Sequence, residues 1–271
     1  MIIDIAAPEE AHLPALRQLW QETFGDSDEF LDAFFTVGFC PKRCLCALSG
    51  TWPVAAIYWF DGTLWGEKVA YLYALATRES HRGQGIATKL LEGVHAHLKD
   101  AGYSALLLVP ADKQLGRWYQ QLGYEYCGRV AEFSCKTPGK PAALRPVTAK
   151  EYASLREQYL PRGSVQQNAE TLEFLATHSH LYAGEGFLLT AQLTECGTWV
   201  IPEFLGDISA VPGILGALGI SGAVFRGPIP TLAADTAFRP AWLEVDHSPV
   251  MFHPLREHAP ALPAYFAFPM N

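Results

Sequence analysis

A strand, a glycine-containing turn and a helix follow one another between residues 69 and 101, and this stretch constrains the fold more than any other. The apolar run at 70–77 predicts a buried strand, followed by a polar turn at 78–81. The segment Arg82-Gly-Gln-Gly-Ile-Ala87 comes next, and helical periodicity runs from 86 to 98. The first turn of a helix leaves about four backbone N–H groups without partners and carries about half a positive charge. Because glycines let the backbone approach a ligand closely, the stretch predicts a cradle for a phosphate or pyrophosphate.

Two common phosphate-binding loops do not fit these residues. A P-loop needs a lysine and then a serine or threonine after its last glycine, and no such pair follows a glycine loop here. A dinucleotide-binding loop needs a third glycine three residues after Gly85, where Thr88 stands. An ordinary strand–helix connection, with glycines for turn geometry alone, remains the plain alternative.

A second block of sequence follows the first helix. The apolar run at 105–109 predicts another strand, and the next helix ends with the segment Arg117-Trp-Tyr-Gln-Gln-Leu-Gly-Tyr124. This ending resembles the Tyr-x-x-x-Gly-Phe ending of the GCN5-related N-acetyltransferases (GNAT family), with Tyr119 as its tyrosine. Where that family usually has an asparagine seven residues earlier, this chain has Asp112.

The glycine segment resembles the acetyl-CoA loop of the same family, Gln/Arg-x-x-Gly-x-Gly/Ala. Arg82, Gly85 and Ala87 occupy its fixed positions. The order and spacing of the two blocks also match, so the chain is identified as a member of this family by resemblance. The resemblance implies an α/β fold with a mixed sheet, built as two tandem acyl-CoA N-acyltransferase-like domains.

The resemblance also implies an enzyme that moves acetyl from acetyl-CoA, its co-substrate, to a primary amine of a small molecule or peptide. Tyr119 would be the general acid to the leaving sulfur, since an unperturbed tyrosine pKa of about 10 keeps the phenol protonated at pH 7. The main chain at 75–77 would pair with the pantetheine arm and polarise the thioester carbonyl, and the main chain at 82–88 would hold the pyrophosphate. The residues implied to bind the co-substrate are Leu75, Ala76, Thr77, Arg82, Gly83, Gln84, Gly85, Ile86, Ala87, Thr88, Asp112 and Leu115.

The general base is where the sequence departs from the family pattern. Many members have a glutamate four residues before the position of Thr77, and Tyr73 stands there instead. Because a phenol is a poor base, Tyr73 is either a catalytic residue of another kind or a wall of the acceptor pocket, and the amine proton can leave through water. Other candidate bases are Glu22, Asp28, Glu29 and the terminal carboxylate of Asn271.

The rest of the N-terminal half alternates strands and helices. We predict a strand at 2–6, a helix at 8–23, and a second helix that Asp26 caps and that runs to 37. Strands are predicted at 44–49 and 54–60, and the final strands of this half at 124–133.

A chain of 271 residues is long enough for two domains, and a linker composition appears at 136–141. After it, the pattern at 144–155 repeats that at 3–13. We therefore predict a GNAT acetyl-CoA-binding domain at 1–136 and a degenerate GNAT-like domain at 142–271. The second lacks the glycine loop, and Glu203 and Asp207 are expected to oppose a pyrophosphate there.

Composition excludes some classes of partner and leaves others open. A net charge of -8 and a pI of about 5.6 argue against a nucleic-acid partner and suit a cationic amine. The six cysteines lack the spacing of a zinc site, so we expect no metal and reduced thiols. With no signal peptide or membrane span expected, the predicted location is the cytoplasm, and a homodimer remains open.

Two alternative functions remain open. One keeps the enzyme class but changes the group, to a longer acyl chain or an aminoacyl donor. The other is a CoA-binding sensor or scaffold without turnover, which the missing strand glutamate would explain. The sequence does not identify the amine acceptor.

Overall fold

The computed structural model divides the chain into two compact units. The first spans Met1–Glu125 and Met251–Pro260, and the second spans Tyr126–Val250 and Ala261–Asn271. The structure describes residues 2–194, 196–228, 242–247 and 250–266. Within those residues, no helix is both long enough and apolar enough to cross a membrane.

The first unit is a mixed sheet with helices between its strands. The strands run in the order β1-β2-β3-β4-β5-β15-β6. Strands β4 and β5 are parallel, whereas the pairs β1–β2, β2–β3, β3–β4 and β5–β15 are antiparallel. A π-helix continues α2 at Phe34–Gly38. Its elements are β1 (Asp4–Ala6), α1 (Leu13–Phe24), α2 (Asp28–Ala33), β2 (Cys44–Ser49), β3 (Trp52–Leu64), β4 (Glu67–Thr77), α3 (Ile86–Asp100), β5 (Ala105–Leu108), α4 (Lys113–Gln121) and, from the end of the chain, β15 (Met251–Pro254). Strand β6 (Glu125–Tyr126) follows α4 along the chain.

The second unit is also a mixed sheet, with the order β14-β7-β13-β12-β11-β10-β8. Strands β12 and β13 are parallel and are joined through α7, whereas their other neighbours are antiparallel. Its elements are β7 (Arg129–Cys135), β8 (Leu144–Pro146), α5 (Ala149–Tyr159), β9 (Gln166–Gln167), α6 (Ala169–Leu175), β10 (His180–Gly184), β11 (Phe187–Leu193), β12 (Trp199–Gly206), α7 (Val211–Leu218), β13 (Ala223–Gly227) and β14 (Trp242–His247).

The two sheets share one order of connections. In each, a strand is followed by two helices and then by three antiparallel strands, the last of which leads through a helix to a parallel neighbour. In the first unit this series is β1, β2, β3, β4 and β5; in the second it is β8, β10, β11, β12 and β13. The fold is therefore of the mixed α/β class that the sequence predicts.

The strand that pairs with the outer edge of β5 is not the one that the sequence predicts. Residues 124–133 were expected to complete the first sheet. Strand β6 does lie at the edge of that sheet, but β7 pairs with β13 and β14 in the second. Strand β15, whose Met251 lies opposite Leu108, stands between β5 and β6. The predicted domain ranges 1–136 and 142–271 thus differ from the observed units, because β7 pairs in the second sheet and β15, from the second half of the sequence, pairs in the first.

Amphipathic patterns explain why the helices lie on their sheets. In α3 the buried residues Ile86, Leu90, Val94 and Leu98 recur every four positions and form one apolar face. The second helix begins differently from the prediction. Ser27, and not Asp26, is its N-cap, accepting a hydrogen bond from the Phe30 N–H at 3.3 Å.

Candidate active site

The glycine segment forms an open loop at the start of α3. Gly83 and Gly85 have φ of 73° and 74°, a left-handed conformation that other residues rarely adopt. Among the described residues, a Cβ at either position would meet nothing within 4 Å, and no side chain caps α3, whose N-cap is Gly85. The geometry fits an anion cradle, because both glycines lie beside open space at a helix start that has no side-chain cap.

Side chains of the loop tie it to the end of β4. The Nε of Arg82 donates to the Thr77 carbonyl at 3.0 Å, and the amide of Gln84 donates to the Ser80 carbonyl at 3.1 Å. The backbone N–H of Arg82 donates to the Glu79 carbonyl at 3.1 Å. The N–H of Arg82 is therefore already engaged, and the predicted set of pyrophosphate donors shortens to residues 83–88.

Strand β4 carries a bulge just before the loop. Tyr58 of β3 lies opposite Tyr73 and Ala56 lies opposite Ala76, so β4 has one extra residue between these pairs. Ala74 within the bulge has φ of 53°, which costs an alanine about 1–2 kcal/mol. The sequence offered no sign of this bulge, because no glycine stands there.

The bulge coincides with the place where β4 and β5 separate. Their parallel pairing ends with Tyr71 opposite Leu107, and β5 itself ends at Leu108. Among the described residues, the edge of β4 at 72–77 therefore has no strand partner on the β5 side. Backbone groups of Leu75, Ala76 and Thr77 on that edge are placed to pair with an extended ligand.

Tyr119 lies on α4 at the border of the core. The residue is 8% exposed, and its ring contacts Trp118 and Tyr124 at centroid distances of 4.7 and 5.5 Å. Burial raises the pKa of the Tyr119 phenol above its usual range, so the group is protonated at neutral pH. The state is the one that a general acid needs.

The two remaining predicted binding residues form a helix cap. The Asp112 carboxylate accepts the Leu115 N–H at 2.7 Å and so begins α4. This contact positions the helix that carries Tyr119. The Asp112 carboxylate and the Leu115 N–H are therefore hydrogen-bonded to each other, whereas the Leu115 side chain is 39% exposed.

Tyr73 faces an aromatic cluster on the side of the sheet covered by α1. Its ring lies 5.6 Å from that of Trp20 and 5.5 Å from that of Phe60. Burial first, and then the neighbouring Tyr71 and Asp26, raise the pKa of the Tyr73 phenol far above its usual range. A raised pKa leaves even less of the phenolate, the form that can accept a proton, at neutral pH, so these surroundings favour the wall role over the catalytic one.

The predicted carboxylate bases are mostly engaged elsewhere. Glu22 pairs with Arg78 at 2.8 Å, and Asp28 pairs with Arg17 at 3.0 Å. Hydrogen bonds from its own backbone N–H and from Ser27 lower the pKa of Glu29, which is exposed. Asn271 lies outside the described residues.

Asp26 is a carboxylate that the sequence analysis treated only as a helix cap. It is half-buried and accepts the indole N–H of Trp20 at 2.7 Å. Through this contact it lies beside Trp20, whose ring is 5.6 Å from that of Tyr73. The only sequence signal that could have identified Asp26 is its position in the turn between α1 and α2.

The described residues include no group of three or more His, Cys, Asp or Glu side chains arranged to hold a metal ion. Cys44 and Cys46 lie next to each other on β2, buried, with their sulfurs 4.0 Å apart. Cys196 is exposed.

Solved acetyltransferase structures share this fold. A GCN5-related N-acetyltransferase from Kribbella flavida has a TM-score of 0.70 at 18% identity, covering 94% of this chain and 72% of that one. Another from Anabaena variabilis has a TM-score of 0.72 at 16% identity, with coverage of 94% and 73%. A probable N-acyltransferase of unknown function from Enterococcus faecalis has a TM-score of 0.73 at 14% identity, with coverage of 94% and 73%. At these identities the likeness establishes the fold alone.

Part of the sequence also resembles a known protein family. No curated protein matches the sequence. The Acetyltransferase (GNAT) family profile matches residues 12–124, a range that includes the bulged β4, the glycine loop and Tyr119. Residues 12–124 are therefore similar to the acetyltransferase domain of the GNAT family.

Proposed function

We propose that the first unit transfers an acetyl group from acetyl-CoA to a primary amine of a small molecule or peptide. The observation that carries the proposal is the open Gly83–Gly85 loop next to the unpaired edge of β4. The two features are joined by the contact between Arg82 and the Thr77 carbonyl. One binds an anion and the other binds an extended arm, which are the two chemical parts of coenzyme A.

The main chain supplies most of the binding in this proposal. The N–H groups of residues 83–88 hold the pyrophosphate, where the start of α3 adds its positive dipole. The backbone at 75–77 pairs with the pantetheine arm, and an N–H of this segment polarises the thioester carbonyl. Arg82 and Gln84 keep the loop in place through their side-chain hydrogen bonds.

Acetyl-CoA, as co-substrate, supplies an activated thioester. Tyr119 donates the proton that the sulfur gains as it leaves, and its raised pKa keeps this proton available at neutral pH. The attacking amine loses its own proton to water, because Glu22 and Asp28 are paired with arginines and Tyr73 is a weak base. The buried surroundings of Tyr119 limit competing hydrolysis.

We propose that the second unit is a related copy that does not bind CoA. The same strand connections support shared ancestry. At the equivalent helix start, the Asp207 carboxylate accepts the Ser209 N–H at 2.8 Å, and Pro212 lacks an N–H. The negative charge that was expected from Glu203 does not act there, because this carboxylate is buried against Arg156.

The test is isothermal titration with acetyl-CoA, followed by thiol release with a panel of amines. We expect one site per chain and thiol release with at least one amine. The Gly85→Ala variant should bind at least about tenfold more weakly, because the loop must keep a left-handed residue. Gly50→Ala is the matched control, since Gly50 has a φ of 63° and equally open surroundings in a turn outside the site. Absence of binding, or two sites per chain, would contradict the proposal.

A CoA-binding protein without turnover is the second candidate. The observation that favours it is Tyr73 at the strand position where a base is usual, together with paired carboxylates nearby. Binding without thiol release for any amine would support this candidate. Repeating the assay with longer acyl-CoA donors in place of acetyl-CoA tests the other rival, a different acyl group.

A further inference from the structure

The negative charge of Asp26 has no cation beside it in the described part of the chain. Its neighbours along the chain do: Glu22 pairs with Arg78, and Asp28 and Asp32 pair with Arg17. Asp26 instead accepts one neutral hydrogen bond, from the Trp20 indole. A half-buried carboxylate without a counter-ion is unfavourable, so a cationic ligand would complete its surroundings.

The group next to Asp26 is a set of aromatic rings, which we call the ring cluster. Trp20 is at its centre, with ring centroids 5.6 Å from Tyr73 and 6.2 Å from Phe30. Phe30, Phe35 and Tyr73 are half-buried, and the other members are buried. The members are Trp20, Phe30, Phe34, Phe35, Tyr58, Phe60 and Tyr73.

Aromatic faces and a carboxylate together select one kind of amine. The rings attract a cation through their quadrupoles and bury an apolar body, while the carboxylate binds the charged end. Tyr73 directly precedes Ala74 of the β4 bulge, so the ring cluster borders the strand segment proposed to hold the thioester. The geometry points to Asp26 as the residue that binds the substrate ammonium group, and to an amine with an aromatic or bulky apolar body as the acceptor. This inference deepens the proposed function and rests on it.

Other acceptor classes fit these contacts less well. A polyhydroxylated amine would place its hydroxyls against rings that offer few hydrogen bonds, at a desolvation cost. An amine that also carries a carboxylate would meet Asp26 with a like charge. The overall charge of -8 favours cations in the same direction.

The reaction balances with Asp26 as a binding group. The ammonium bound beside its carboxylate loses one proton to water, and the neutral nitrogen then forms the amide bond to the acetyl carbon. The carbon–sulfur bond breaks, and the thiolate takes its proton from Tyr119. The nitrogen loses its second proton as the amide forms, and this proton returns through water to the Tyr119 phenolate. The Asp26 charge is the same before and after.

The test compares amines that differ in charge at pH 7. We would measure kcat/KM for 2-phenylethylamine, which is cationic, for aniline, which is neutral, and for glucosamine, which is cationic and polyhydroxylated. The wild-type protein should prefer 2-phenylethylamine over glucosamine. The Asp26→Asn variant should lower kcat/KM for 2-phenylethylamine by about 10–100-fold and for aniline by less than about threefold.

Two further variants separate charge from folding. Asn still offers an oxygen to the Trp20 indole, and Asp26→Glu keeps the charge, so Asp26→Glu should retain more activity on 2-phenylethylamine than Asp26→Asn. Asp32→Asn is the matched control, because this carboxylate is 73% exposed on its side chain and already pairs with Arg17. Asp32→Asn should leave kcat/KM for all three amines unchanged.

The outcomes distinguish this inference from the proposed function. Direct titration of 2-phenylethylamine into the wild-type and Asp26→Asn proteins does not require turnover, and weaker binding by the variant alone would support the inference even without thiol release. An equal loss for charged and neutral amines, a preference for glucosamine, or unchanged binding in Asp26→Asn would overturn it. Acetyl-CoA binding with turnover of other amines would then leave the proposed function standing.

Discussion

The Nε2 atom of His95 lies 2.8 Å from the hydroxyl of Tyr124, and the His95 ring is stacked on that of His253 at 4.5 Å. Helix α3, the segment after α4 and strand β15 meet at this contact. Burial first, and then the charge of His253, lower the pKa of His95 from 6.5 to about 4. The neutral imidazole is therefore the form that the folded unit favours.

This shift predicts that acid destabilises the protein through His95. The folded pKa lies below the unfolded one, so the stability that His95 contributes is present above about pH 6.5 and is lost as the pH falls towards 4. After allowance for solvent screening, we expect a loss of about 1–3 kcal/mol from this group. Urea unfolding at several pH values should show a shallower pH dependence in His95→Gln. If the free energy of unfolding depended equally on pH in the wild-type protein and in His95→Gln, the role of His95 in acid destabilisation would be contradicted.

The general-acid role of Tyr119 predicts a loss in kcat without a loss in co-substrate affinity. Removing the hydroxyl in Tyr119→Phe should lower kcat by about 100-fold, because the sulfur then leaves without a positioned proton donor. Acetyl-CoA binding by isothermal titration should stay within about threefold, since binding rests on the main chain. Tyr126→Phe removes a hydroxyl from a side chain that is 41% exposed and serves as the control. Unchanged kcat in Tyr119→Phe would remove Tyr119 from the mechanism.

The buried ion pair of the second unit predicts a strong asymmetry between single and double replacements. Arg156 and Glu203 are 1% and 0% exposed, and two hydrogen bonds of 2.8 and 2.9 Å join them. Arg156→Met alone should cost about 3–5 kcal/mol of unfolding free energy, because it leaves a buried carboxylate uncompensated.

Replacing both partners with methionine should restore much of this loss, since no charge is then buried. The Tyr152 hydroxyl, which lies 3.0 Å from Glu203, would keep part of the cost because it loses its acceptor. Arg145→Met, which breaks an exposed pair with Glu151 at 2.7 Å, should change stability by less than about 1 kcal/mol. Urea unfolding measures all three, and a double variant as unstable as the single one would refute the argument.

The position of β15 predicts that a chain ending at residue 136 will not fold cooperatively. Such a chain lacks Met251–Pro254, which pairs with β5, and it loses Met251 and Leu255 from the core. It would also expose the apolar edge of β5, and an unpaired strand edge promotes aggregation. Thermal unfolding and light scattering would test this.

A rejoined chain gives the matching control. Residues 1–125 followed by a flexible glycine–serine linker and residues 250–260 should recover a cooperative transition, because the missing strand is restored. Cooperative unfolding of the chain that ends at 136 would instead show that the predicted boundary marks a self-sufficient domain.

Local patterns explain what the sequence determined by itself. The apolar run of β4, the two glycines and the amphipathic face of α3 follow one another within about thirty residues, so backbone propensity and periodicity specify them without reference to the rest of the chain. The same holds for Tyr119, whose place near the end of α4 follows from the spacing to Gly123. The candidate co-substrate loop was therefore predictable.

Long-range contacts decided the remainder. An edge of β5 can accept any compatible strand, and only the assembled sheet selects Met251–Pro254 rather than the nearer 124–133. Glu203 was expected to act as a free negative charge, but its side chain is buried against Arg156, 47 residues away in sequence. The strain at Ala74 and the uncompensated Asp26 beside Trp20 likewise depend on packing. Sequence spacing specified the loop because its contacts are local, whereas strand partners and the charges of an acceptor pocket arise only where distant segments meet.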